Sequence, residues 1–261
     1  MLVTDAPEPL LDRVRKLLAK AEARGVTPAE AQALTAKAAE LMAKYGLDRA
    51  LLAADRPETD RPANRVLDID NPWAREKAHL LCGLAAALRC QCILLPATAA
   101  DGAGRKPGSR VHIFGFTSDI ERTDVLYTSV LLQMWNGLGG VRVPDWTSSP
   151  RAWRRSWLLG FATAVIAKVR AAERGAITAA TTRPGPVAQR AALVLADRTM
   201  IVRRQVAQAY PVTRTAKVTY SGGGYRDGFA KGQRADIGGV RLGAGRGLAL
   251  TGARPLGAAG R

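Results

Sequence analysis

The chain has 261 residues and 47% hydrophobic content, enough for one large domain or two small ones and too apolar for disorder over most of its length. Its net charge of +17 is lopsided: residues 151–261 hold 20 Lys+Arg against 4 Asp+Glu, while residues 51–150 balance at 11 and 11. Cys82, Cys90 and Cys92 are too few and too close for a disulfide framework. The acidic start (Asp5, Glu8, Asp12) does not suit a signal peptide, and no apolar run reaches the ~18 residues of a membrane span, so a soluble protein of the reducing cytoplasm is expected.

At the N-terminus, Val14, Leu17, Leu18 and Ala21 share one helical face, and Gly25 follows a basic last turn (Lys20, Arg24) as a stop. Thr27-Pro28-Ala29-Glu30 reads as a capping box with Pro at the first helical position. The second helix is expected to bury Ala31, Leu34, Ala38, Leu41, Met42 and Tyr45 and to end at Gly46. Two helices joined by about three residues fold back as an αα-hairpin over residues 1–52. Its charge is near zero, so it reads as a packing module rather than a grip for phosphate.

The runs Val14-Arg15-Lys16-Leu17-Leu18-Ala19-Lys20-Ala21, Glu30-Ala31-Gln32-Ala33-Leu34 and Lys37 to Leu47, ending in the string LMAKYG, carry a resemblance. Together they resemble the signature of the family called domain of unknown function 2786, of bacteria, prophages and some phages. The segment from Trp73 onward is similar to the companion domain that usually follows, through its GF-x-S-D-I-E element at Gly115–Glu121. The resemblance implies architecture, and it brings no activity and no catalytic residues.

Residues 53–71, with two Pro and no periodicity, read as a linker. Residues 72–90 read as a helix with Leu80, Leu81, Leu84, Ala85 and Leu88 inward. Cys92–Leu95 and Val111–Phe114 read as short strands flanking a hairpin-like loop. Ser118-x-x-Glu121 reads as a capping box that opens a helix through Leu126, Val130 and Met134. Residues 151–173 form a long helix whose stripe is Leu158, Phe161, Ala162, Val165, Ile166 and Val169, with Trp153 and Trp157 on another face. A helix apolar on two faces is either central or binds a partner there. Val187–Leu195 fits strand or helix, and Asp197 is a candidate cap for a helix carrying Arg203 and Arg204. After Gly238 the Gly/Arg/Ala-rich composition predicts a flexible basic tail over 239–261. The fold class expected is α+β: the hairpin, then a mostly helical α+β domain (72–238) with a small sheet, then the tail.

Four groups of residues carry candidate chemistry. Trp146, Arg151, Trp153, Arg154, Arg155 and Trp157 interleave aromatics and guanidiniums, a pattern that stacks bases and holds phosphates, or else a core with solvated arginines beside it. Gly224, Gly228 and Gly232, with Arg226 and Lys231 between them and Arg234 just after, form a row that calls for close approach by a neighbouring helix or by a phosphate backbone. His79, Cys82, Cys90 and Cys92 are four conceivable zinc ligands, better read as buried small groups. Asp119, Glu121 and Asp124 could hold Mg²⁺, though helix-start capping already accounts for the first two.

The expectation from sequence is a non-enzymatic nucleic-acid-binding protein without metal or cofactor. It would neutralise phosphates through Arg151, Arg154, Arg155, Arg203, Arg204, Arg226, Lys231 and Arg234, with Trp153 and Trp157 beside them. One alternative is an adaptor that docks a protein partner through the N-terminal hairpin. Another is a metal-dependent phosphodiesterase-like enzyme built on the acidic trio.

Overall fold

The computed structural model describes residues 16–17, 28–96, 108–181, 186–214 and 222–235. The first helix of the hairpin, apart from residues 16–17, and the tail at 239–261 lie outside the described residues. So does most of the loop between the two expected strands.

Helix α1 (Pro28–Asp55) is followed by a short 3₁₀ turn (Pro57–Thr59), strand β1 (Pro62–Ile69), helix α2 (Ala74–Ala87), and strands β2 (Gln91–Leu95) and β3 (Ser109–Phe116). Helices α3 (Thr117–Gly139), α4 (Pro150–Thr181), α5 (Pro186–Ala209) and α6 (Tyr225–Gln233) complete the order. The described chain is mostly helical with one small antiparallel sheet, an α+β fold.

The sheet has the order β1-β3-β2 and is antiparallel throughout. Pro62 pairs with Phe116 and Ile69 with Ser109, so β1 spans the whole of β3. Residues 62–69 therefore correct the reading of 53–71 as a linker. β1 is an edge strand, where the missing N–H of Pro62 costs no ladder bond, and Arg65, which shares the inner face with Ala63 and Leu67 and pairs with Asp124, breaks the alternation.

Strand β3 separates two layers by its period of two. Val111 and Ile113 face the apolar body with Leu80, Leu84 and Ala85 of α2, whereas Phe114 and Phe116 meet Val202 and Val206 of α5. Gly115 has no room for a side chain, because a Cβ there would lie 2.5 Å from the Cys90 Sγ.

Helix α4 is the central column and packs on α1, α2, α3, α5 and α6. That explains its two apolar faces. Leu158, Phe161, Val165 and Val169 meet α2 and α3 in the main core, and Trp153 and Trp157 are buried as well. The ambiguous run Val187–Leu195 is helical, since Ala191 and Leu195 pack on Leu47 and Ala50 of α1. Asp197 sits inside this helix rather than at its start.

Gly46 is also internal to a helix, because α1 runs nine residues beyond it to Asp55. The glycine is there for clearance: a Cβ would lie 1.9 Å from Nη1 of Arg122 and 2.9 Å from Nη2 of Arg89. The capping box at Ser118 is corrected too. The Asp60 carboxylate takes that role from outside the helix, accepting from the Ser118 N–H at 3.0 Å and from its hydroxyl at 2.6 Å.

Candidate nucleic-acid interface

The glycine row decides the geometry of the basic region. A Cβ on Gly224 would lie 2.4 Å from the Trp153 carbonyl oxygen, one on Gly228 1.9 Å from that of Trp157, and one on Gly232 2.5 Å from that of Phe161. Each step of four on α6 matches a step of four on α4 in the same direction, so the two helices run parallel at backbone contact. From the other side, a Cβ on Gly160 would lie 2.1 Å from the Tyr225 carbonyl oxygen. The close approach is made by a neighbouring helix, so these glycines are taken up by packing. The Gly224 N–H, an otherwise orphaned donor at the helix start, donates to the Ser156 hydroxyl at 2.9 Å.

Helix α2 runs the same way along another side of α4. The Arg155 Nε donates to Glu76 in the first turn of α2 at 2.8 Å, and further along Gly83 touches Ile166. The N-termini of α2, α4 and α6 thus share one end of the molecule. Glu76 in α2 and Asp227 in α6 offset the partial positive charge of their helix starts, and the Ser149 and Ser156 hydroxyls accept from the Ala152 and Gly224 N–H groups at the starts of α4 and α6.

Arg151 and Arg154, in the first turn of α4, are exposed at this end, as is Arg226 in the first turn of α6. Arg155 is half-buried there against Glu76. Arg75 on α2 joins them. It is inconspicuous in the sequence because residues 51–150 are charge-neutral as a block, and only the parallel packing puts the start of α2 at this end. Trp146, in the loop before α4, has its ring edge 3.5 Å from where a Gly223 Cβ would stand and remains 78% exposed.

The structure does not gather the rest of the expected set here. Trp153 and Trp157 are 1% and 0% exposed, with Trp157 stacked on Phe161 at 5.6 Å, so neither ring has a face to offer a base. They belong to the core. Arg203 and Arg204 are exposed on α5, which covers the opposite face of the sheet from α2. Lys231 and Arg234 lie two turns further along α6, where the Lys231 stem packs near Gly137 of α3.

Several cations are spent inside the protein. Asp119 accepts from Arg89 at 3.1 Å, Arg122 at 3.0 Å and Arg198 at 3.2 Å. Glu173 accepts from Arg89 at 2.8 Å and also from Arg122, and Asp60 accepts from Arg198 at 2.7 Å. Three guanidiniums and three carboxylates interlock under Gly46, joining α1, α3, α4 and α5. Burial alone would push the Asp119 carboxyl up; Arg89, Arg122 and Arg198 overcome it and hold the group below the usual carboxylate value. Arg198 also lies over the Phe116 ring, 3.6 Å from its centroid.

This locks Asp119 away from any cation. Asp124 is bound by Arg65, and Glu121 points from a different side of α3. Among the described residues no group of three or more His, Cys, Asp or Glu side chains is placed to hold a metal ion. Cys90 is buried beside Gly115, and burial pushes its thiol up to about 12. His79 is exposed rather than buried as expected. His112 bridges the Tyr210 hydroxyl at 2.8 Å and the Asn64 Oδ1 at 3.0 Å.

The family comparison bears on the other end of the chain. Residues 10–49 match the family described as "Protein of unknown function (DUF2786)". No curated protein and no solved structure matches the chain. The stretch similar to DUF2786 ends in the part of α1 where Met42, Ala43, Tyr45 and Leu47 are buried, with Gly46 on the arginine cluster. No described helix is long and apolar enough to cross a membrane.

Proposed function

We propose that this protein is a non-enzymatic nucleic-acid-binding protein that grips the phosphate backbone at the shared end of α2, α4 and α6. The observation that carries the reading is the parallel packing of those helices. It brings the exposed guanidiniums of Arg75, Arg151, Arg154 and Arg226 to one end, where they outnumber the first-turn carboxylates Glu76 and Asp227. Phosphate contacts of this kind carry little sequence information, so affinity is expected to depend on salt and weakly on sequence. The compartment we propose is a reducing cytoplasm, in keeping with three free thiols. A phage or mobile-element setting is part of the proposal and rests on the resemblance of residues 10–49 to DUF2786 alone.

The test is fluorescence anisotropy of a labelled oligonucleotide at rising NaCl. A steep, near log-linear loss of affinity is expected; a flat response contradicts the reading. The adaptor alternative has less support, because the buried residues of α1 are already used against the rest of the chain. A protein partner that survives nuclease treatment and is lost with changes at Lys37, Glu40 or Lys44 on the exposed side of α1 would revive it.

A further inference from the structure

We infer that Trp146 is a stacking platform for an unpaired base, which makes single-stranded nucleic acid the preferred ligand of the basic end; this rests on the nucleic-acid reading above. The other four tryptophans are buried or half-buried, whereas Trp146 is 78% exposed. It occupies the third position of a tight turn closed by the Thr147 N–H donating to the Pro144 carbonyl at 3.0 Å. That position favours Gly, Asn or Asp, whose backbones suit turns, and packing gives no reason for the largest apolar side chain to stand there.

The ring is also positioned. Its Cη2 and Cζ3 edge lies within 3.5 and 3.8 Å of where a Gly223 Cβ would be, against the loop that leads into α6. Arg142 is ion-paired to Asp145 at 3.2 Å in the same turn, Arg151 and Arg154 follow on α4, and Arg226 lies just beyond Gly223. An aromatic face set among guanidiniums takes a base while its neighbours take the flanking phosphates. A duplex keeps its base faces stacked inside and offers this ring only its backbone, so the arrangement discriminates for single strands.

The experiment titrates the whole protein into a labelled oligothymidylate of about 20 nucleotides, and into a duplex of the same length, at low salt. Wild type is expected to prefer the single strand. Trp146→Ala should weaken single-strand binding about tenfold while leaving duplex binding within about twofold, and Trp146→Phe should restore most of the loss. In the wild type the single strand should quench tryptophan emission and the duplex should not. Unchanged single-strand affinity in Trp146→Ala, equal losses on both ligands, or no quenching overturns the inference and leaves phosphate binding standing. Failure of wild type to bind either ligand brings down the nucleic-acid reading itself.

Discussion

Gly228 and Gly175 are both helical glycines, and they should respond in opposite ways to the same change. Replacing glycine by alanine in a helix gains about 1 kcal/mol where the new methyl meets nothing. Gly175, late in α4, has no atom within 4 Å of an added Cβ, so Gly175→Ala should raise the melting temperature. At Gly228 the Cβ would lie 1.9 Å from the Trp157 carbonyl oxygen and 2.6 Å from its carbon. Backbone cannot step aside as a side chain can, so α6 would have to lift from α4. Gly228→Ala should lose about 1–3 kcal/mol in urea titration.

Arg198 tests the buried charge cluster at the same scale. Arg198→Met would leave Asp60 and Asp119 buried with a partner removed from each, a loss of about 3–5 kcal/mol. The pH dependence has a definite sign. Asp119 is held below its ordinary 3.8, so the stability it contributes is present above that value and drains away as pH falls through the lowered one. In the Arg198→Met protein the acid limb of the stability profile should move to higher pH.

Among the elements, Tyr210, the residue just past α5, is tied to the sheet through His112, which also meets Asn64. Burial holds the His112 imidazole below its ordinary 6.5. The unfolded chain therefore binds a proton first, and stability should fall as pH drops below about 6.5 toward the lowered folded value. Urea midpoints at pH 7.5 and 5.5 should show this, and His112→Gln should flatten it. The same elements show what was legible in the sequence. α2, α3 and α4 were readable because their apolar stripes are long and periodic. β1 was not, because Arg65 stands on its inner face and is satisfied there by Asp124 of α3, a partner the strand's own pattern does not contain. Gly46 and Ser118 misled for a shared reason. Each has its meaning set by a group far along the chain (Arg122 for Gly46, Asp60 for Ser118), and no local rule contains that partner.

For the molecule as a whole, charge collected in sequence was only partly collected in space. Arg198 went to the interior, Arg190 to Asp55, Arg203 and Arg204 to another face, while Arg151, Arg154 and Arg226 were joined by Arg75 from a neutral stretch. The Trp/Arg cluster split likewise, with Trp153 and Trp157 becoming core and Trp146 staying out. The tryptophans looked alike in sequence because whether a ring is covered depends on α6, some 70 residues away. The central claim is that one end, not the overall charge, binds phosphate. It is tested most directly by the salt dependence of oligonucleotide binding for two variants, Arg151→Gln/Arg154→Gln/Arg226→Gln and Arg203→Gln/Arg204→Gln. Removing three phosphate contacts should flatten the log–log salt slope by about 2, with the second variant close to wild type. Equal slopes in the first variant and wild type, or equal effects of the two variants, would contradict the account.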